Sequence, residues 1–290
     1  MSTPSLLSVE RLRVEFGGLT AVNDVDLAIE PDEIVSVIGP NGAGKTSLFN
    51  CVTGFYRPTA GRVRVAGLDM TGARPSKIAG RGVCRTFQNL RLFPDLSVLD
   101  NVRAGLHLRG GQNALDALLR TPRYRRSERW ATDEAHHWLD FVGLSAENPT
   151  APSRTGPVNN LPYGARRLVE LARGLAQQPR LLLLDEPAAG LNPAEKTALV
   201  DLIHRIHALG VTVVLIEHDM PLVRAVSQRV VVLHYGRKIA DGLPDTVWND
   251  PEVVAAYLGT DPDNSTDPDS TDPTAAYDAR SATETSLARP

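Results

Sequence analysis

The sequence predicts an α/β fold built on an open, largely parallel sheet, and three observations carry that expectation. Short apolar, β-branched runs at 33–38, 181–184 and 211–216 read as buried strands. Stretches of helical period stand between them, at 163–177 and from Pro193 to Gly210. Between the first strand and the helix start Ser47–Val52 lies Gly39-Pro40-Asn41-Gly42-Ala43-Gly44-Lys45-Thr46. It fits G-x-x-x-x-G-K-[ST] in the strand–loop–helix context that pattern needs.

That loop sets the chemistry. Its glycines let successive backbone N–H groups curl around an anion, an approach a Cβ would block. The helix N-terminus adds partial positive charge. Gly39, Pro40, Asn41, Gly42, Ala43, Gly44, Lys45, Thr46 and Ser47 are the expected nucleotide-binding set. Lys45 is expected to reach the β- and γ-phosphates, and the Thr46 hydroxyl to ligate Mg²⁺. The predicted core is therefore that of a P-loop NTPase, RecA-like, carrying an antiparallel β-subdomain and an inserted helical subdomain.

The chain in order supports this. Leu6–Val14 and Ala21–Ile29 alternate around the break Phe16-Gly17-Gly18, which predicts antiparallel pairing. Pro31-Asp32 turns into the loop strand. Gly54–Pro58 ends the helix after the loop, and Arg62–Ala66 is a further short strand. Gly82–Phe87 reads as a buried strand followed by Gln88. Residues 97–142 turn helical, with Ser97 as the expected cap and Asp100 in the first turn. The helical subdomain is expected at about 97–177. Residues 149–160 form a Pro/Asn/Ser/Gly-rich loop before the helix at 163–177, whose apolar face is Leu168, Leu171, Ala172, Leu175 and Ala176. Asn192-Pro193-Ala194-Glu195 has the pattern of an N-cap, a proline at the first helical position and a reciprocal Glu. Arg229–His234 and Arg237–Ala240 pair as a hairpin around Tyr235-Gly236. The expected domain covers 6–259. Residues 260–290 repeat Thr-Asp-Pro and hold too little apolar area to offset ordering entropy, so a disordered acidic tail is expected there.

Composition excludes other classes. The chain has 290 residues, 42% hydrophobic, with a net charge of −3. The apolar runs are far shorter than the roughly 18 residues a spanning helix needs. Met1–Pro4 shows neither a basic nor an apolar signal region, so no signal peptide is expected. Cys51 and Cys84 have no metal-ligand or disulfide spacing and are expected to be core thiols in a reducing cytosol. The charge argues against nucleic acid as the main partner. The basic run Arg120–Arg129 is expected to be a solvated face of the helical lobe. The other histidines show no i,i+4 pairing for a metal, so none is expected beyond Mg²⁺.

The strands ending at Ile38, Leu184 and Ile216 should deliver polar groups to one edge, where ligands bind in open α/β sheets. Asp185 is the carboxylate expected to face Mg²⁺. Glu186, beside it, can orient and polarise an attacking water. His218 can donate to a γ-phosphate oxygen.

These residues fall in the order of a known family. Phe16, Gly39–Thr46, Gln88, Leu161–Ala165, Leu184–Pro187, Ala189–Asn192 and His218 resemble, in sequence, the A-loop, Walker A, Q-loop, signature, Walker B with its glutamate, D-loop and H-switch of an ABC-transporter ATP-binding subunit. The resemblance covers residues 6 to about 259. Phe16–Val22, Asn50–Tyr56, Arg85–Gln88, Pro187–Asn192 and Ala256–Gly259 look like the LivG-type, branched-chain amino-acid importer subgroup. It implies an ATPase that binds ATP and Mg²⁺ and drives uptake from the cytoplasmic face of the plasma membrane, as a peripheral subunit on membrane-spanning permease subunits. A solute-binding protein would act indirectly. By position, Phe16 would stack on adenine. Gln88 would touch Mg²⁺ or the water and relay nucleotide state to the membrane partner. Leu161–Ala165 would face the γ-phosphate held by a second ATPase subunit, two subunits sandwiching two nucleotides head to tail.

The signature departs from the family pattern. Leu-Ser-Gly-Gly-Gln is usual, and the subgroup accepts Tyr in third place; here it reads Leu161-Pro162-Tyr163-Gly164-Ala165. Pro162 offers neither a hydroxyl nor an N–H, and Ala165 replaces the Gln. The composite site this signature completes is expected to be weak; the resemblance implies a heterodimer with a different ATPase subunit, since this importer subgroup usually employs two distinct cassettes. Two alternatives stand beside the importer: a soluble ABC ATPase, and a nucleotide-binding partner with little turnover. The first usually has two cassettes or a long coiled coil, and this chain has neither. The substrate is not legible in the residues.

Overall fold

The computed structural model describes residues 5–106, 121–145 and 153–258. The expected tail, Gly110-Gly111 and the start of the basic run lie outside those residues.

A mixed six-stranded sheet forms the centre, in the order β10-β9-β3-β8-β7-β6. Its members are β3 (Ile34–Ile38), β6 (Val83–Arg85), β7 (Leu181–Asp185), β8 (Thr212–Ile216), β9 (Arg229–His234) and β10 (Arg237–Gly242). All neighbours are parallel except β10, which closes the expected hairpin against β9. The continuous apolar runs follow from burial on both faces. In β7, Leu182 and Leu184 point to one cluster, while Leu181 and Leu183 point to the other. In β8, Val213 and Leu215 share the first cluster, Val214 and Ile216 the second.

One face is covered by helix α1 (Lys45–Val52) and the antiparallel sheet β2-β1-β4-β5. That sheet comprises β1 (Leu7–Phe16), β2 (Leu19–Ile29), β4 (Ala60–Val65) and β5 (Leu68–Asp69). Its side chains alternate to bury Leu7 and Val9 and, after a one-residue shift, Leu12 and Val14. Register shifts interrupt the β1–β2 ladder, and Arg11 and Asp24 take positive φ of 43° and 52°. These irregularities have no glycine signal and were invisible to pattern reading.

The other face carries α3 (Val98–Gly105), α4 (Pro122–Phe141), α5 (Tyr163–Ala176) and α6 (Pro193–His207), which share one apolar cluster with β7 and β8. The short helix α2 (Pro75–Ala79) precedes β6. Helices α7 (Met220–Val226), α8 (Pro244–Trp248) and α9 (Pro251–Leu258) follow β8 and β10. Ser97 caps α3 by accepting from the Asp100 N–H, and Asn192 with Glu195 forms a complete capping box on α6. The loop before α5 ends in a single 3₁₀ turn, Val158–Asn160. On α4, Arg123, Arg125, Arg126 and Arg129 are exposed, a solvated face as expected.

Register brings the chemistry to one edge. Val37 of β3 and Asp185 of β7 both lie beside Ile216 of β8. The Thr86 N–H, just beyond β6, donates to Leu183 O at 2.9 Å. The chain at 39–46, 86–88, 185–188 and 217–219 therefore leaves the sheet together.

Candidate functional site

The phosphate-type loop has the backbone its glycines permit. Gly39, Gly42 and Gly44 take φ of 147°, 81° and 99°. A Cβ on Gly39 would sit 2.0 Å from Leu233 O, and one on Gly44 2.3 Å from Ala21 O, so both positions require glycine. Gly42 meets nothing within 4 Å and faces open space. Gly44 occupies the N-cap of α1 with no side-chain cap, and the first intrahelical bond runs from the Leu48 N–H to Gly44 O. The N–H groups of the first turn are thus free for an anion.

Lys45 is 6% exposed, and its Nζ donates to Gly39 O (2.7 Å) and Pro40 O (2.9 Å). Burial lowers its pKa from the ordinary lysine value, while the charges of Glu186 and Asp185 pull the other way. Those carbonyls hold the ammonium at the base of the loop.

Asp185 ends β7 and is 4% exposed. Its Oδ2 accepts from Arg85 Nη2 at 2.7 Å, in a pair whose side chains are 4% and 6% exposed. Arg85 Nη1 also donates to Asn50 Oδ1 (2.7 Å) and Thr53 Oγ1 (3.2 Å) on or next to α1. One guanidinium thus fixes the carboxylate relative to the helix that follows the loop.

Glu186 has φ of 47°, a strained conformation for a side-chain-bearing residue. Its Oε2 accepts from Gln88 Nε2 at 2.9 Å, and its Oε1 pairs with His218 Nε2 at 2.7 Å. The three residues proposed from sequence for catalysis therefore meet on one carboxylate. Glu217 is buried beside them and accepts from the N–H groups of Ala188 (2.7 Å), His218 (3.0 Å) and Asp219 (3.3 Å). Burial raises its carboxyl pKa, and those N–H groups oppose the shift.

A cavity of about 410 Å³ joins these parts. Phe16, residues 41–47, Glu186 and His218 line it. Phe16 is 46% exposed at its mouth, edge-on to Tyr56 with ring centroids 5.1 Å apart. Leu19, Thr20, Ala21 and Tyr235 also line it and were not anticipated; Tyr235 is 72% exposed with φ of 44°.

The signature stretch is not part of this cavity. Leu161 is buried, Pro162 is the N-cap of α5 with φ −55° and ψ 155°, and no side chain caps that helix. Tyr163 opens the helix, with its ring over Gly190, where a Cβ would lie 3.2 Å from Tyr163 Cε1. A Cβ on Gly164 would meet Glu195 Oε1 at 2.3 Å, and Ala165 packs on the helical core.

The residues fit a nucleotide and its divalent ion. The loop offers unpaired N–H groups and a buried cation for phosphates. Thr46 and Asp185 are the oxygen donors Mg²⁺ prefers, and the structure holds Asp185 by one oxygen only.

The ABC transporter family matches residues 22–189. This chain belongs to the ABC transporter ATP-binding family. A second family match, to the branched-chain amino acid ATP-binding cassette transporter, covers residues 237–263. The chain is 47% identical over 261 residues to the high-affinity branched-chain amino acid transport ATP-binding protein BraF of Pseudomonas aeruginosa, covering 89% of this chain and 99% of the relative. It is 45% identical over 260 residues to the corresponding LivG protein of Escherichia coli, with the same coverage. Among solved structures, an ATP-binding cassette in its ADP conformation superposes with a TM-score of 0.73 at 28% identity, over 89% of this chain and all of that one. A nucleotide-free cassette gives 0.73 at 27%, over 87% and 98%. The sequence-based resemblance and fold class therefore hold, and the chain is an ATPase subunit of the ABC type. Among the described residues, no helix of this ABC ATPase is long and apolar enough to cross a membrane.

Sequence reading missed Arg85, Glu217, Arg167 and Glu170 in this cassette.

Proposed function

We propose that this cassette powers an importer of branched-chain amino acids by hydrolysing ATP at the site around Glu186. The observation that carries the mechanism is the Glu186 carboxylate, bracketed by Gln88 and His218 on the cavity that holds Lys45. The substrate class rests on the match at 237–263 and on the relatives' names.

Nucleotide phosphates would lie on residues 39–47, with the adenine against Phe16. Lys45 would exchange Gly39 O and Pro40 O for β- and γ-phosphate oxygens. Thr46 and Asp185, with Gln88 at the edge, would hold Mg²⁺, which when bound neutralises charge on those oxygens. Glu186 would accept a proton from the attacking water, oriented by Gln88. His218, with its proton on Nε2, would turn from Glu186 to a γ-phosphate oxygen. Leu161–Ala165 would complete the nucleotide site of a second ATPase subunit, and the altered Pro162 and Ala165 favour a partner that differs from this chain.

A groove between the segment after Gln88 and the helical lobe supports permease docking. Phe93 (51% exposed), Leu96 (42%) and Trp130 (37%) line it, with Asp100 and Arg103 at its rim. Such an apolar patch suits a segment of the membrane subunit, and the ATPase would then sit peripherally on the cytoplasmic face. The solute-binding protein would act through that permease.

Uptake of radiolabelled leucine, isoleucine and valine in cells with this chain deleted tests the substrate class. Complementation by wild type but not by Lys45→Ala is expected. Unchanged uptake on deletion would overturn the assignment.

A further inference from the structure

One turn inside the signature, α5 buries an ion pair. Arg167 is 1% exposed and Glu170 2%, at 3.5 Å from each other. Buried charges are tolerated only where hydrogen bonds satisfy them, so the partners are informative. Arg167 Nη1 donates to Phe87 O at 2.9 Å. Its Nη2 donates to Glu186 O and to Tyr163 Oη, each at 3.1 Å, and reaches Gln88 O at 3.5 Å. Glu170 Oε1 accepts from the Arg91 N–H at 3.3 Å. Burial raises the Glu170 carboxyl pKa, and the Arg91 N–H and the Arg167 charge oppose the shift.

The partners are selective. Apart from Glu170, every one belongs to the Q-loop, the signature or the residue after Asp185. A core helix face of this kind would pack as well with Leu or Met, which hold no carbonyl. The Glu186 carbonyl belongs to the residue with φ of 47°, and strained turns persist only where the surroundings fix them. Tyr163, whose hydroxyl Arg167 holds, also packs over Gly190 of the D-loop.

We propose that Arg167 is a positioning residue for hydrolysis: from the signature helix it fixes the backbone of Glu186 and Gln88, and so ties the first turn of α5 to the carboxylate of its own chain. The proposal rests on the reading of Glu186 as the base. It has a consequence for the dimer. The turn of α5 that faces the second subunit's nucleotide also bears, through Tyr163 and Arg167, on the base of its own site. Events at one nucleotide are then felt at the other.

The test is steady-state ATPase of the full-length chain, at concentrations that favour the dimer, in a double-mutant cycle. Arg167→Gln with Glu170→Gln keeps the buried site neutral and hydrogen-bonding. Loss of charge-assisted bonds to the carbonyls should lower kcat roughly tenfold to a hundredfold, with KM for ATP within about twofold. Arg167→Lys should recover part of kcat. With Glu186→Gln already present, the same pair of changes should lower the residual rate no further, because Arg167 acts through Glu186. An unchanged kcat overturns the proposal, as does an equal loss in both backgrounds. Wild-type turnover in Glu186→Gln alone removes the base reading, and the proposal falls with it. Should the paired variant not fold, Tyr163→Phe removes one hydroxyl; a severalfold lower kcat at unchanged melting temperature is expected, and an unchanged kcat is contrary.

Discussion

Restoring the usual signature residues by Pro162→Ser with Ala165→Gln should raise turnover while leaving stability nearly constant. Pro162 sits at the N-cap of α5 with φ −55° and ψ 155°, a conformation serine adopts freely. A serine there can accept from the Ala165 N–H, a cap worth about 1 kcal/mol. Loss of the ring loosens the unfolded chain and costs about 0.4–1 kcal/mol. The two nearly cancel, so the melting temperature should move by less than about 2 °C. The serine hydroxyl keeps its proton while it accepts, and can donate it to a γ-phosphate oxygen across the dimer. A donor to a charged oxygen contributes about 1–3 kcal/mol, which is roughly five- to 150-fold in rate. The assay is ATPase activity of the isolated chain and the double variant, with thermal melts of both. Full activity of the unmodified chain alone, with no gain in the variant, would refute the view that Pro162 and Ala165 weaken the composite site.

Other outcomes follow from the same structure. Gly44→Ala should abolish binding of a fluorescent ATP analogue, since its Cβ would lie 2.3 Å from Ala21 O at a φ of 99°; binding at wild-type affinity would contradict the loop geometry. Burial pushes the thiols of Cys51 and Cys84 up to about 11 and about 12, so both stay protonated at pH 8. Labelling by iodoacetamide should therefore proceed only as fast as the protein unfolds, and rapid native labelling would be contrary. Removing residues 261–290 should leave melting temperature and ATPase rate unchanged, because their composition builds no core; a large drop in either would show that the tail packs.

What was legible in the sequence is what is local. The loop 39–46 needs only its own glycines and the strand before it. The runs 181–184 and 211–216 announce strands buried on both faces, and Asn192–Glu195 contains its whole capping box. Asp185, Glu186 and His218 could be placed because each ends a strand that pattern reading finds. Arg167 and Glu170 were lost to the rule that charged residues on an amphipathic helix face water. Their burial depends on contacts with Phe87, Arg91 and Glu186, which are distant in sequence. Arg85 was read as part of a strand, and its reach across to α1 and Asp185 is a property of the sheet order alone. The β-bulge near Arg11 carries no turn residue to mark it, and Asn23-Asp24 on the facing strand lack the glycine or proline that would have broken the alternating pattern.

If Glu186 is the base, its loss should stop turnover while residues 39–47 still hold ATP. Glu186→Gln keeps the side chain's size and one of the two oxygens that accept from Gln88 and His218, but cannot take a proton from water. Hydrolysis and ATP affinity of this variant, measured side by side, separate the two roles. Unchanged affinity, turnover lowered by about a hundredfold or more, and an ATP-stabilised dimer by light scattering are expected. Turnover within about tenfold of wild type would show that Glu186 is not the base.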